Sequence, residues 1–387
     1  MYNISLLLHI YQPPTQFPEI TREIVEQSYW PLVGALKEAP KAKIVLNICA
    51  SLTEQLDKLG CQDLLREFKL LADAGRVEMT GSAKYHPLLS KLSPQEISHQ
   101  IALNRETNER LIDESFRPAG FFPPEMAYSS HVARAVEQAG HSWIIVEDFA
   151  FPESQTRRRD VVYRVAGTNL DVVFRDKDLS LGLAFGNLKT PKEFMMAIKD
   201  QKDGEYYILA MDGETFGHHH KGGIEVLRGI LSLSEVNWLT ISELIKEYDG
   251  DREEVEVLSS TWGAMEIGSR LERIFPRWDN PDNPVHVLQW QLFYLALSVM
   301  SRCEPSQEGH LAARAVFDKA MHSDHFFWAG GDPCWHPQMV ERGANLLRES
   351  IEINPASFPE ERQKAAELKK RIVSLGKELY GEGIILE

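Results

Sequence analysis

Short apolar runs that close on polar, acidic or aromatic side chains recur through the first two thirds of this chain. Tyr206-Tyr207-Ile208-Leu209-Ala210-Met211 ends abruptly in Asp212-Gly213-Glu214-Thr215-Phe216-Gly217, two carboxylates bracketed by glycines. An apolar run of that length without alternation predicts a strand buried on both faces, as in parallel sheets covered by helices, where ligands gather beyond the carboxyl ends of the strands. On these residues alone, Asp212 and Glu214 are equally compatible with an Asx turn opening a helix. Tyr2–Ile10 is a similar run, closing on His9-Ile10-Tyr11-Gln12-Pro13-Pro14, whose prolines forbid a longer central strand. Residues 43–49 and 76–80 repeat the pattern, the latter leading into Gly81-Ser82-Ala83-Lys84-Tyr85-His86-Pro87. Ala119-Gly120-Phe121-Phe122 runs into Pro123-Pro124-Glu125, and 141–147 ends in Glu147-Asp148. Tyr163–Val165 and 170–175 predict an insertion hairpin strand beside a barrel strand, and 254–258 a last strand before Ser259-Ser260-Thr261-Trp262-Gly263.

Between these runs lie helix-start signals. Ser51 with Glu54, Ser93 with Glu96, Thr190 with Glu193 and Thr240 with Glu243 have capping-box spacing, and Pro94 and Pro191 occupy first helical positions. Strands alternating with capped helices require crossover connections and therefore parallel βα units, seven or eight of them up to about residue 262. That is the size of a closed α/β barrel with its site at the carboxyl face of the strands. Beyond Asp279-Asn280-Pro281-Asp282-Asn283-Pro284 the character changes. Residues 285–300 predict a buried helix, apolar nearly all round but broken by Gln289, Gln291 and Ser298. Helices near 311–321 and 338–353, and over Pro359–Tyr380, complete a helical bundle. The expected division is a barrel over 1–278 and a helical region over 279–387.

Composition narrows the function classes. With 43% hydrophobic and 26% charged residues the chain is of the soluble globular type. Fifty-seven acidic against forty-two basic residues give a formal charge of -15, which would repel a phosphate backbone or an anionic membrane surface, so neither nucleic acid nor membrane is an expected partner. Cys49, Cys61, Cys303 and Cys334 have no paired short spacing, which points away from zinc or disulfides and toward a reducing, cytoplasmic setting. No run approaches the roughly 18 uninterrupted apolar residues of a membrane span. The Thr156-Arg157-Arg158-Arg159-Asp160 segment reads as a solvated loop.

The strand ends together supply His9, Gln12, Glu78, His86, Glu125, Glu147, Asp148, Asp212, Glu214 and Trp262, an acid-rich set with aromatics. Sugar transfer needs two carboxyl groups, one ionised and one holding a proton for the leaving oxygen. These residues resemble the motifs of glycoside hydrolase family 57, the α-glucan-active group of α-amylases, 4-α-glucanotransferases, branching enzymes and amylopullulanases. His9-Ile10-Tyr11-Gln12-Pro13 looks like the first motif, with Tyr11 in place of the usual second histidine, and Gly75-Arg76-Val77-Glu78 looks like the second. Gly120-Phe121-Phe122-Pro123-Pro124-Glu125-Met126 matches the third and Met211-Asp212-Gly213-Glu214-Thr215-Phe216-Gly217 the fourth, while Asp324-His325-Phe326-Phe327-Trp328-Ala329-Gly330-Gly331 is a looser fit to the fifth.

The resemblance implies a (β/α)7-type distorted barrel followed by a C-terminal α-helical bundle, and a retaining mechanism on α-1,4-linked glucans or malto-oligosaccharides through a glycosyl-enzyme intermediate. It makes Glu125 the nucleophile and Asp212 the general acid/base, with no cofactor and no metal. Like-charge repulsion across the roughly 5–5.5 Å between two such carboxyls would keep the acid protonated. His9, Gln12, Glu78, His86, Tyr128, Glu214, Phe216, His218, Trp262, Asp324 and Trp328 are the expected substrate contacts, with Glu214 orienting substrate or standing behind Asp212, and the aromatics stacking on sugar faces or packing the core. His218-His219-His220 could ligate a metal with His9, but adjacent side chains diverge and seldom bind one ion together. Two other readings stay open: a metal-dependent polysaccharide deacetylase, although no His-x-x-x-His pair is present, and a non-catalytic glucan-binding relative.

Overall fold

The computed structural model describes residues 1–387 apart from 201, 203, 251, 268, 269, 332, 333, 386 and 387. The chain forms two compact units. The first comprises Met1–Gln12, Phe17–Lys84 and Leu89–Trp262, the second Pro13–Gln16, Tyr85–Leu88 and Gly263–Glu387.

Among the described residues ten strands shape the first unit: β1 (Tyr2–Ile10), β2 (Ile44–Ile48), β3 (Val77–Thr80), β4 (Gly120–Phe121), β5 (Trp143–Val146), β6 (Tyr163–Val165), β7 (Asp171–Phe174), β8 (Tyr206–Asp212), β9 (Val236–Trp238) and β10 (Glu253–Val255). Parallel pairing gives one sheet in the order β3-β2-β1-β8 and a second that contains β7-β5-β4. Two seams join them into a ring. At one, Gly81 N donates to Gly120 O at 2.8 Å and Phe122 N to Gly81 O at 3.0 Å; at the other, Asp176 N, just past β7, donates to Ile208 O in β8 at 2.6 Å. The result is a seven-stranded barrel, β1-β2-β3-β4-β5-β7-β8.

The second seam is short because β6 pairs antiparallel with the first half of β7, occupying the edge that β8 would otherwise use. Tyr163–Val165 is thus the insertion strand and Asp171–Phe174 the barrel strand, as the sequence predicts. The predicted strand over 254–258 is a correction. Only Glu253–Val255 is extended, it pairs with β6 outside the ring, and Leu258 is left exposed. Short range and a single buried residue, Val255, leave that segment nothing to bury in the barrel.

Alternation along each strand serves two cores. Ile4, Leu6, Leu8 and Ile10 join Leu209 and Met211 under the outer helices. Leu7, Val45, Trp143, Ile145, Val173, Tyr206, Ile208 and Ala210 fill the inside of the ring with Ile241 and Leu244. The last two belong to helix Ile241–Glu247, which starts in a complete capping box between Thr240 and Glu243. Leu239, just before the cap residue Thr240, donates to Ile4 O at the start of β1, so this helix plugs the amino end of the barrel. The helix predicted to start at Ser51 begins at Ala50 instead, with no side-chain cap; the buried Ser51 hydroxyl donates to the Gln12 carbonyl at 3.0 Å.

The second unit contains a hairpin, β11 (Met265–Ile267) with β12 (Arg270–Arg273), and helices Pro284–Ser301, His310–Ala320, Asp324–Phe327, Pro337–Glu352 and Pro359–Tyr380. Gln289, in the polar break of the first of these, is anchored through its amide nitrogen. Gln289 Nε2 donates to His325 O at 2.7 Å, and the neighbouring Trp290 stacks on Phe326 with ring centroids 4.4 Å apart. Among the described residues no helix is long and apolar enough to cross a membrane.

Candidate active site at the carboxyl ends of the strands

Two residues beyond the inner-core positions Leu7, Val45 and Ala210 stand His9, Asn47 and Asp212, and two beyond Glu78 stands Thr80, so alternation turns all four inward. Register makes them one row: Thr80 pairs with Asn47, Asn47 with His9 and His9 with Asp212. The Asn47 amide orders the row. Its Nδ2 donates to Thr80 Oγ1 at 2.7 Å and to the Gly81 carbonyl at 3.2 Å. That leaves Oδ1 as acceptor, 2.7 Å from His9 Nδ1, so Nδ1 carries a proton and Nε2 is the basic nitrogen of the neutral ring. The imidazole stacks on Phe122 at 4.6 Å and meets Trp262 edge-on at 6.0 Å.

Glu125 sits past β4 in the tight turn Pro124–Met126 and is buried. Glu125 and Met126 both have left-handed backbone, φ 57° and 47°, a conformation that costs a non-glycine residue about 1 kcal/mol or more and needs a surrounding structure to hold it. Trp262 holds it twice. Its backbone N donates to Glu125 O at 3.1 Å and its indole Nε1 to Glu125 Oε2 at 2.7 Å. Ser260 and Tyr128 exchange both backbone hydrogen bonds alongside, fixing the 260–262 segment against the turn. An N–H aimed at a carboxylate oxygen favours the ionised form.

Asp212 ends β8 and is partly exposed, while Glu214, two residues on, is buried. Glu214 Oε1 accepts from Tyr11 N at 3.2 Å, from Gln12 Nε2 at 3.3 Å and from the Tyr29 hydroxyl. Burial first, then the Asp212 charge, push the Glu214 carboxyl up to about 8. Burial is the larger cause, so Glu214 favours its protonated form whether or not Asp212 is ionised, with the proton on Oε2 while Oε1 accepts. Burial and then the Glu214 charge push the Tyr29 hydroxyl well above its ordinary range, so it stays a donor.

Tyr29 closes a π-helical turn, Val25–Tyr29, of a kind that recurs at functional sites. Three consecutive residues of that turn grip the loop after Asp212. Gln27 Oε1 lies 2.9 Å from His218 Nδ1, Ser28 Oγ donates to Gly213 O at 2.9 Å, and Tyr29 reaches Glu214. Gly217 has φ 118°, and a Cβ there would lie 1.9 Å from the Gln27 carbonyl, so only glycine fits this close approach.

Of the residues singled out from sequence, His9, Asp212, Glu125 and Trp262 stand at the carboxyl ends of the barrel strands, and Gln12 and Glu214 support the same end. Three of the residues expected as substrate contacts stand apart from this group. Glu78 lies one inward layer lower, where its oxygens accept from Ser242 N at 3.0 Å and Ser242 Oγ at 2.5 Å, capping the plug helix. Phe216 is buried in the outer core with Leu209 and Met211, and Tyr128 is buried in the turn beside Glu125; neither ring face is available to a sugar. His218 and His220 diverge, the latter's Nε2 lying 2.5 Å from the Ala184 carbonyl.

His86, Asp324 and Trp328 belong to the second unit. There His86 Nδ1 lies 3.0 Å from Ser323 Oγ, Asp324 Oδ2 lies 3.1 Å from His322 Nδ1, and Trp328 meets His336 edge-on at 5.5 Å. Sequence reasoning missed Tyr29, Asn47 and Arg175. Asn47 had a signal, as the one polar residue in the apolar run 44–49; Tyr29 had none, being one aromatic among several on a helix.

Fold and site together define a (β/α)7 barrel with carboxylates, an imidazole and an indole gathered at its carboxyl end. The chain belongs to glycosyl hydrolase family 57, whose family profile matches residues 9–258. An α-amylase from Pyrococcus furiosus is 24% identical over 261 residues, 64% of this chain and 39% of the relative. A 4-α-glucanotransferase from Thermococcus litoralis is 23% identical over the same shares. The chain thus aligns with about two fifths of the length of these relatives. Among solved structures, a branching enzyme from Thermococcus kodakaraensis superposes with a TM-score of 0.74 at 16% identity, covering 100% of this chain and 98% of that one. An α-amylase from Thermotoga maritima gives 0.72 at 12% identity, covering 98% and 97%.

Proposed function

We propose that this protein is a retaining glycoside hydrolase or transglycosylase acting on α-1,4-linked glucans through a covalent glycosyl-enzyme intermediate. The amylase, glucanotransferase and branching activities named for its relatives support the substrate class. The observation that carries the chemistry is Glu125, a buried carboxylate kept in a costly turn with an indole N–H on one oxygen, on the same barrel end as the partly exposed Asp212.

In this reading Glu125 attacks the anomeric carbon, forming a C–O ester bond as the glycosidic bond breaks, and Asp212 gives its proton to the departing sugar oxygen. With Glu125 esterified its charge is gone, and Asp212, now ionised, takes the proton from water or from a sugar hydroxyl that attacks the same carbon and frees Glu125. His9 is suited to a sugar hydroxyl, since its tautomer is fixed by Asn47. Glu214 holds the first motif and the Asp212 loop together rather than touching substrate.

Incubation with maltoheptaose tests this. Shorter products alone mean hydrolysis, and longer and shorter products together mean transfer. Glu125→Gln and Asp212→Asn should each lower the rate by about a thousandfold or more with the circular dichroism unchanged. Turnover of no α-glucan sinks the proposal, and retained activity in either variant removes that residue from its role.

A further inference from the structure

A buried ion pair near the mouth of the barrel has no part in the chemistry above. Glu147 follows β5 and Arg175 follows β7, neighbouring parallel strands in which Val146 pairs with Phe174. Glu147 Oε2 accepts from Arg175 Nη1 at 2.7 Å, with the two side chains only 1% and 4% exposed. Glu147 Oε1 accepts from Asp148 N at 2.9 Å, and Arg175 Nε is buried with no hydrogen-bond partner among the described residues. Taking two charges out of water is only roughly offset by their attraction, so such a pair is poor evidence of a stabilising role. Its position is more informative. The guanidinium lies over the Trp262 ring, 5.8 Å from the centroid, and the Nε1–H of that ring is the donor to Glu125 Oε2.

We propose that Arg175, anchored by Glu147, is a positioning residue for Glu125 and acts through Trp262. The proposal rests on the assignment of Glu125 as nucleophile. A cation on the face of an indole draws on its π density and makes the ring N–H a better donor, so Arg175 strengthens the hydrogen bond that fixes Oε2. Phe122 and His9 meet the same ring edge-on at 5.7 and 6.0 Å and complete its clamp. With Oε2 fixed, the other carboxylate oxygen has one direction in which to attack. Trp262, expected from sequence as a sugar platform, then has its polar edge committed to the nucleophile. The planar guanidinium suits both partners at once, binding a carboxylate edge-on while its face covers an aromatic ring, which an ammonium does not do.

Two measurements test this on the full chain. The first needs no activity: the Trp262 indole N–H resonance, assigned by its loss in Trp262→Phe, should move upfield in Glu125→Gln and also in Arg175→Met. A resonance unmoved by Arg175→Met overturns the proposal. The second uses an aryl α-maltoheptaoside, whose aryloxide leaves without needing a proton. Arg175→Met and Trp262→Phe should lower kcat about tenfold or more while KM stays within about threefold. In a Glu125→Ala background supplied with azide, which displaces the aryloxide to give the glycosyl azide, the same substitutions should cost less than about twofold. Equal losses in both backgrounds would mean that they act on substrate or fold and not through Glu125, and this too overturns the proposal. If the unsubstituted protein turns over no α-glucan, the functional reading falls, while the resonance still decides the contact between Arg175, Trp262 and Glu125.

Discussion

At the scale of single residues, Glu214 shows how burial changes what a carboxylate does. A glutamate exposed in an unfolded chain titrates near 4.5, whereas burial and the neighbouring Asp212 charge raise Glu214 to about 8 in the fold. Between those values the folded protein holds a proton that the unfolded chain has lost, so stability falls as pH rises. The contribution is fully present below about 4.5 and is gone above about 8, on the order of 5 kcal/mol across the window. Glutamine keeps the Oε1 acceptor for Tyr11, Gln12 and Tyr29 and does not titrate. Glu214→Gln should therefore match the unsubstituted protein near pH 5 and lose less stability between pH 5 and 9, read from urea unfolding at each pH. An identical slope in the two proteins would show that Glu214 is not the titrating group. The sequence showed Asp212 and Glu214 as a pair; only the fold, by burying one and leaving the other partly open, separates their roles.

At the scale of elements, the sequence was most legible where a local signal decides the outcome. Thr240 and Glu243 form the capping box their spacing predicts, and Ser93 and Thr190 each accept from the backbone of the glutamate three residues on. Ser51 has the same spacing but its hydroxyl is drawn to the Gln12 carbonyl, because tertiary burial offers it a partner that solvent-exposed caps lack. Glu78 fails for a related reason. A strand residue two positions short of the end looks like a strand-end residue from sequence, yet register sets it level with Leu7 and Val45, below the row of His9 and Asn47. Its carboxylate faces the positive N-terminal end of helix Ile241–Glu247 and the Ser242 hydroxyl. Glu78→Gln should cost about 1.5–3 kcal/mol of stability, the usual value of hydrogen bonds to a charged group, while KM and kcat on maltoheptaose stay as they were. A raised KM at unchanged stability would return Glu78 to the substrate.

At the scale of the whole molecule, the order of strands and helices was readable because each unit declares itself locally, but the closing of the ring was not. Closure depends on which backbones can approach, and at the β3–β4 seam the two partners are Gly81 and Gly120. A Cβ on Gly120 would fall 1.9 Å from the Trp143 indole, and one on Gly81 2.4 Å from the His141 imidazole. The two neighbours differ in freedom. Trp143 is fully buried in the inner core and tied by Nε1 to Ser242 Oγ at 3.0 Å, so it cannot move without disturbing the plug helix. His141 is only half-buried, with its Nδ1 3.0 Å from the Pro118 carbonyl, so it is less tightly enclosed than Trp143. Overpacking a rigid core costs about 1–3 kcal/mol or more, and a yielding neighbour reduces it. Gly120→Ala should therefore destabilise the protein by about 2–3 kcal/mol and Gly81→Ala by clearly less, both measured by urea unfolding. If Gly81→Ala proves equal or worse, the constraint at this seam is the backbone approach of the strands themselves and not the indole behind Gly120.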